Sequence, residues 1–178
     1  MLANTTELAG MLPDLLPRLW AFACRMTGDR LDAQALTQKT CLQARQRVGS
    51  TLQGIRPLCS IYAIAYRIWI DELRTPDVRA RMRRARPLRW MQSADPQAAL
   101  DHARAAQNQL IVTAVDQLPH AQRIAMLLVA IEALSYAEAA HVLGVPVNTV
   151  MSRVVRARQT IGRQFAAVAD PCGKSAAR

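Results

Sequence analysis

Glycine and aromatic residues are scarce in this chain, which has 7 glycines and an aromatic fraction of 4% in 178 residues. Alanine is abundant instead. Alanine is the strongest helix former, whereas strands favour β-branched and aromatic side chains. The length is enough for one ordinary domain or two small ones. The composition therefore predicts an all-α fold.

Long apolar runs and a basic leader are also missing. The longest uncharged apolar run, Ile124 to Ile131, is much shorter than the ~20 residues that cross a bilayer. The segment up to Pro17 contains no Lys or Arg and includes Glu7, so it lacks the positive start of a secretory signal. We therefore expect no membrane insertion and a cytoplasmic location.

The cysteines and histidines form no metal-binding pattern. No C-x-x-C pair occurs, and no histidine lies at metal-ligand spacing. The residues concerned are Cys24, Cys41, Cys59, Cys172, His102, His120 and His141. We expect no structural zinc and no cofactor, and we interpret the first three cysteines as small hydrophobic side chains. Phosphate-binding loops and catalytic motifs are absent too, which predicts a protein that is not an enzyme.

Positive charge is in excess, with 23 Lys plus Arg against 13 Asp plus Glu and a formal net charge of +10. All of these basic residues except Lys39 and Lys174 are arginines. The planar guanidinium binds phosphates and base edges through two hydrogen bonds at once. A basic chain can also bind nucleic acid without specificity. The placement of the arginines must therefore decide between specific and non-specific binding.

The chain divides by composition. Pro76, Pro87 and Pro96 interrupt a stretch in which six arginines lie between Arg79 and Arg89. Because proline breaks a helix interior, no long helix should run through it. We predict a helical domain at 1–74, an Arg/Pro-rich linker at 75–100, a second helical domain at 101–168 and a tail at 169–178.

Three helices are predicted in the first domain. The first contains apolar residues from Leu15 to Met26 at helical spacing and ends at Gly28; the second runs from about Asp32 to Val48, and the third begins near Pro57. On the third helix two adjacent stripes are apolar: Ile61, Ile64, Ala65 and Ile68, then Tyr62, Tyr66, Trp69 and Leu73. We favour core positions for Tyr66 and Trp69.

The second domain contains a helix-turn-helix pattern. A helix at about 101–117 precedes one that Pro119 opens. Ser135 followed by Glu138 is a capping box, Gly144 ends that short helix, and another helix starts at about Val147. Short helices that pack closely across such a turn are typical of DNA-binding units.

The last helix has two distinct faces. Val150, Val154, Ala157 and Ile161 should face the core. The opposite face, with its flanks, consists of Met151, Ser152, Val155, Arg156, Gln159, Arg153 and Arg158. A solvated basic face is the alternative, but it explains neither the exposed apolar side chains nor the lack of acidic residues from Asn148 to Phe165. We interpret this helix as one that reads the DNA major groove.

These motifs resemble the extracytoplasmic-function (ECF) sigma factors of bacterial RNA polymerase. The match runs through LPHAQRIAMLLVAIEALSYAEAAHVLGVPVNTVMSRVVRAR in the second half, and through LPRLWAFACRMTGDRLDA, LTQKT and IDELR in the first. The resemblance implies a two-domain alternative sigma factor that binds the clamp of core polymerase, captures melted minus-10 bases and reads the minus-35 duplex. An anti-sigma factor is a further implied partner.

The resemblance also implies site residues. Polymerase contacts would come from Asp32, Leu36, Gln38, Lys39, Thr40 and Gln43, with Leu36 exposed on the helix surface. Minus-10 contacts would come from Gln53, Arg56, Ser60, Arg67 and Arg74. Minus-35 contacts would come from Met151, Ser152, Arg153, Val155, Arg156 and Arg158.

This sequence departs from the family pattern at several of these positions. Ala35 and Lys39 stand where acidic residues are common, Ser60 replaces a typical Trp, and Met151 replaces a frequent basic residue. The departures imply altered polymerase affinity and an unusual promoter. Two alternatives stay open: a helix-turn-helix regulator that acts without polymerase, and a sigma-like protein that sequesters an anti-sigma factor.

Overall fold

The computed structural model describes residues 3–46, 56–84, 114–115 and 117–169, and the regular elements in these ranges are all helical. The first half contains α1 (Ala3–Thr27), α2 (Arg30–Gln46), α3 (Pro57–Glu72) and α4 (Pro76–Arg84). The second half contains α5 (His120–Met126), a π-helical turn (Leu127–Ile131), α6 (Tyr136–Leu143) and α7 (Val147–Ala169). The all-α prediction is confirmed.

Local sequence explains the helix boundaries. Gly28 adopts a left-handed conformation with φ 72° after α1, as its lack of a Cβ allows. Asp29 then caps α2, because its Oδ1 accepts hydrogen bonds from the backbone N–H groups of Leu31 and Asp32. The second helix thus begins at Arg30, two residues earlier than predicted. Most of the helix predicted at 101–117 lies outside the described residues.

The predicted linker begins with a helix. α4 starts at Pro76. The first position of a helix tolerates proline because the first N–H groups of a helix have no partner within it. Arg81 binds Asp32 of α2 through two nitrogens, at 2.9 and 3.3 Å. The first part of the predicted linker is therefore attached to the helices before it. The rest, residues 85–100, lies outside the described part of the chain.

The core of the first half forms around α3. Both predicted apolar stripes point inward, with Tyr62 and Trp69 fully buried and Tyr66 half-buried. The rings of Phe22 and Tyr62 stack at 4.2 Å between centroids, a favourable aromatic arrangement. The prediction of a core position is confirmed for Trp69, whereas Tyr66 lies at the edge.

The two halves of the chain pack against one another. α3 contacts α6, and the buried apolar side chains form one cluster that extends from Leu12 to Val154. The division into domains at 1–74 and 101–168 stays a prediction. In this arrangement the beginning of α3 and the helix-turn-helix share an interface.

Candidate nucleic-acid interface

The first helix of the helix-turn-helix, α6, is capped at both ends. The Ser135 hydroxyl accepts a hydrogen bond from the Glu138 N–H at 3.2 Å, and the Glu138 carboxylate accepts one from the Ser135 N–H at 2.8 Å. The Ser135 N–H and the Ser135 hydroxyl both donate to the Glu138 carboxylate and lower the pKa of Glu138, since they favour the charged form. Gly144 closes α6 with φ 64°. The predicted capping box and C-cap are confirmed.

The two predicted faces of α7 are present. Val150, Val154 and Ala157 are fully buried, whereas Met151 is 45% exposed and Val155 51% exposed. Ser152, Arg156 and Arg158 are exposed, while Arg153 and Ile161 are half-buried. Among the described residues, no carboxylate forms an ion pair with an arginine of α7. This face combines unpaired guanidinium groups with exposed apolar side chains.

Arg153 differs from Arg156 and Arg158 of α7 because it is half-buried. Burial raises the pKa of the Tyr66 phenol on α3, and the positive charge of Arg153 offsets part of that rise.

Most of the predicted minus-10 residues lie on α3 or at its ends. Ser60 and Arg67 are seven residues apart and share one face of α3, and Arg74 lies just beyond the end of the helix at Glu72. Ser60 is half-buried, and Arg67 and Arg74 are exposed. Arg56, just before α3, lies 3.1 Å from Glu138 of α6. Gln53 lies outside the described residues.

The prediction that Leu36 is exposed is wrong, and Thr40 is buried as well. Both have 0% exposure on the inner side of α2. Thr40 can occupy this apolar position because its hydroxyl donates to the Leu36 carbonyl at 2.7 Å, and Thr37 donates to Ala33 in the same way at 2.8 Å. Neither Leu36 nor Thr40 can serve as a surface contact in this conformation.

The remaining predicted polymerase contacts on α2 are accessible, but two of them have partners. Gln38 and Lys39 are exposed, and Asp32 and Gln43 are half-buried. Asp32 binds Arg81, and the Lys39 ammonium lies 2.5 Å from the Glu72 carboxylate. Lys39, which stands where the family pattern is acidic, thus neutralises an acidic residue of its own chain.

A groove between α1 and α2 was missed by the sequence analysis. It has a volume of about 470 Å³. Its lining is mainly apolar and consists of Leu16, Trp20, Gln34, Thr37, Gln38, Cys41, Leu42 and Arg45. Leu16 and Leu42 are both exposed. The spacing of Gln34, Gln38 and Leu42 on α2 is a helical stripe that would have revealed this face.

The buried cysteines behave as hydrophobic residues. Burial raises the pKa of the Cys24 thiol to about 11 and also raises the pKa values of Cys41 and Cys59. A protonated thiol is a poor nucleophile and metal ligand. In the described part of the chain no group of three or more His, Cys, Asp or Glu residues could hold a metal ion. Cys172 lies outside that part.

The Lys39–Glu72 pair predicts a stability effect for Lys39→Glu. Two carboxylates would then face each other between α2 and α3, so we expect a loss of roughly 1 kcal/mol or less in unfolding free energy at low salt. The loss should shrink as ionic strength rises, because salt screens exposed charges. Urea unfolding at two salt concentrations measures it, and the exchange Lys39→Glu with Glu72→Lys should restore stability. No restoration in the exchanged variant would contradict the pairing.

The protein-family model "Sigma-70, region 4" matches residues 108–161 of this chain. The chain is 34% identical over 147 residues to the ECF RNA polymerase sigma factor SigC of Mycobacterium tuberculosis and to the probable RNA polymerase sigma-C factor of Mycobacterium bovis. Each alignment covers 80% of this chain and 75% of the relative.

A solved structure has a similar fold. It is the sigma factor RpoE of Bartonella quintana in complex with the anti-sigma factor NepR, at a TM-score of 0.66 and 23% identity. The alignment covers 90% of this chain and 98% of that chain.

The fold and the capped helix-turn-helix define a helical DNA-binding regulator of transcription. The chain belongs to the ECF sigma factors of bacterial RNA polymerase, and it is an alternative sigma factor that directs transcription initiation. Among the described residues, no helix is both long enough and apolar enough to span a membrane.

Proposed function

We propose that this sigma factor reads the minus-35 element with the exposed face of α7. The contacts would come from Met151, Ser152, Arg153, Val155, Arg156 and Arg158. The observation that carries the proposal is the combination of exposed Met151 and Val155 with arginines that no described carboxylate neutralises. Apolar side chains can contact the thymine methyl group, and arginine can bind guanine.

The minus-10 strand would follow Ser60 and Arg67 along α3 and would reach Arg74 beyond the end of the helix. Arginines bind phosphates of single-stranded DNA, and binding of the separated strand stabilises the melted state. Arg56 and Gln53 would lie at the start of this path. The exposed positions of Arg67 and Arg74 support it.

Core polymerase would bind the outer surface of α2. The accessible candidates are Asp32, Gln38, Lys39 and Gln43, next to the apolar groove between α1 and α2. The exposed apolar side chains of that groove support a protein contact, because interfaces combine an apolar centre with a polar rim. Leu36 and Thr40 would act only by holding α2 in place.

We further infer a protein that works in the cytoplasm, without a catalytic residue or cofactor, through binding energy alone. The domains at 1–74 and 101–168 would separate when both promoter elements are bound. An anti-sigma factor is a candidate partner, and the RpoE structure, in which a chain of this fold is bound to NepR, supports it.

Run-off transcription with purified core polymerase on a genomic library tests the proposal. We expect discrete transcripts that depend on this chain, and their start sites would give the promoter sequence. A chain that binds duplex DNA but neither binds core polymerase nor yields transcripts would instead be a helix-turn-helix regulator. Binding to an anti-sigma factor alone would indicate a sequestering protein.

A further inference from the structure

The short helix α4 contacts both the end of α3 and the start of α2. Near the end of α3, the Arg79 guanidinium donates hydrogen bonds to the carbonyl oxygens of Leu73 at 3.1 Å and Arg74 at 3.4 Å. Val78 is half-buried and packs against the apolar cluster. The first turns of α4 are thus attached to the end of α3.

Arg81 supplies the contact with the start of α2. Its Nη2 and Nε donate to the two carboxylate oxygens of Asp32, at 2.9 and 3.3 Å. The Asp32 side chain is only 14% exposed, so Arg81 occupies both oxygens of a largely covered carboxylate. These hydrogen bonds and the negative charges of Asp32, Asp29 and Asp77 raise the pKa of the Arg81 guanidinium. A two-pronged pair of this kind has the geometry in which exposed ion pairs contribute to stability.

A helix as short as α4 depends on such contacts. Isolated helices of fewer than about 12–15 residues are marginal in water, and α4 has 9 residues. Little apolar surface compensates, because the half-buried side chains described on α4 are Val78 and Ala80. The contacts of Arg79 and Arg81 therefore stabilise both the position and the helical form of α4.

The form of α4 sets the reach of the chain between the two proposed DNA-binding surfaces. α4 begins two residues after Arg74, and the chain must pass through it to reach α7. As a helix its residues span about 13 Å, whereas the same residues in an extended chain could span up to about 30 Å. A docked α4 thus fixes where the connection to the second half begins.

We propose that Arg81 is a positioning residue that, through Asp32, fixes α4 on the first half and thereby limits the promoter spacers that the chain can bridge. The inference rests on the proposed reading of the minus-10 element by α3 and of the minus-35 element by α7. A spacer that does not match the docked arrangement would require α4 to undock. Asp32 would serve α4, and it could contact polymerase only by giving up Arg81.

Hydrogen exchange of the full chain, measured by mass spectrometry, tests the docking. Arg81→Gln and Asp32→Asn each remove one side of the pair, so the amides of α4 should exchange about two- to fivefold faster, as expected for the loss of an exposed ion pair. The double variant should exchange no faster than either single variant, because both changes remove the same contact. Glu72→Gln, which breaks the exposed pair with Lys39, is the matched control and should leave the exchange of α4 unchanged. Unchanged exchange in both single variants would overturn the proposal.

Run-off transcription from altered promoters tests the effect on the spacer. The spacer of a promoter mapped with the wild-type chain is shortened or lengthened, and the ratio of transcripts from the native and altered promoters is measured. This ratio should fall about two- to fivefold in Arg81→Gln and Asp32→Asn, because undocking no longer costs the ion pair. Loss of a direct polymerase contact at Asp32 would instead lower transcription equally on every spacer. Faster exchange of α4 with an unchanged ratio would overturn the positioning role.

The outcome for Arg81 is separable from that for the proposed function. Discrete wild-type transcripts, together with variants that keep the wild-type ratio, would contradict the positioning role alone. A wild-type chain that yields no transcripts would contradict the proposed function and, with it, the effect on the spacer. Hydrogen exchange would still decide whether Arg81 docks α4.

Discussion

Leu36→Ala should lower the free energy of unfolding by about 2–5 kcal/mol, since it removes a fully buried side chain and leaves a cavity. The Leu36 side chain lies on the inner side of α2 and has 0% exposure. Urea unfolding followed by circular dichroism measures the change. The matched control is Leu31→Ala on the same helix, where the leucine is 76% exposed and the loss should be within about 0.5 kcal/mol.

The same pair of variants separates a core role from a docking role. If Leu36 contacts polymerase, Leu36→Ala should be as stable as Leu31→Ala and should lose affinity for core enzyme. If Leu36 belongs to the core, the folded fraction of Leu36→Ala should bind core enzyme like the wild type. Equal stability of the two alanine variants would contradict the buried position.

The sequence predicts the helix-turn-helix well because its signals are local. The capping box spans only Ser135 to Glu138. Gly144 indicates a left-handed C-cap by its residue type alone. Neither signal depends on distant residues. The inner face of α7 follows from the helical spacing of Val150, Val154 and Ala157, which places them on one side of the helix. Here local preference and global packing agree, which is the condition under which such predictions succeed.

The same approach fails on α2 because threonine is ambiguous. Thr40 is predicted as a surface contact, yet the hydroxyls of Thr37 and Thr40 both donate to the helix backbone. A threonine whose hydroxyl has such a partner can be buried. Once these two face inward, Leu36 must face inward too. The exposed side of α2 therefore passes through Gln34, Gln38 and Leu42, which line the apolar groove between α1 and α2.

Contacts between distant segments could not be predicted from one sequence. Lys39 and Glu72 are 33 residues apart, and Arg25 and Glu132 are 107 residues apart. A lone glutamate after an apolar run looks like a surface residue at the end of a helix. Only the packing of the two halves buries Glu132 and brings its carboxylate within hydrogen-bond distance of the Tyr62 hydroxyl. This contact therefore depends on tertiary structure.

Arg156→Ala should weaken binding to the cognate minus-35 duplex by about 1–3 kcal/mol if the guanidinium reads a base. Arg156 is exposed on the same face of α7 as Ser152, and the described residues give it no acidic partner. Fluorescence anisotropy with a duplex taken from the mapped promoter measures the loss. Arg45→Ala on α2 is the matched control, because it removes the same side chain from a helix of the other half.

The comparison of cognate and random duplex decides between base and phosphate contacts. A base contact should cost affinity mainly on the cognate duplex. A phosphate contact should cost affinity equally on both and reduce the slope of log affinity against log salt by about one, because one fewer counterion is released. If Arg156→Ala binds both duplexes like the wild type at every salt concentration, Arg156 does not contact DNA. Since Arg156 lies in the middle of the exposed face, the minus-35 assignment of α7 would then be wrong.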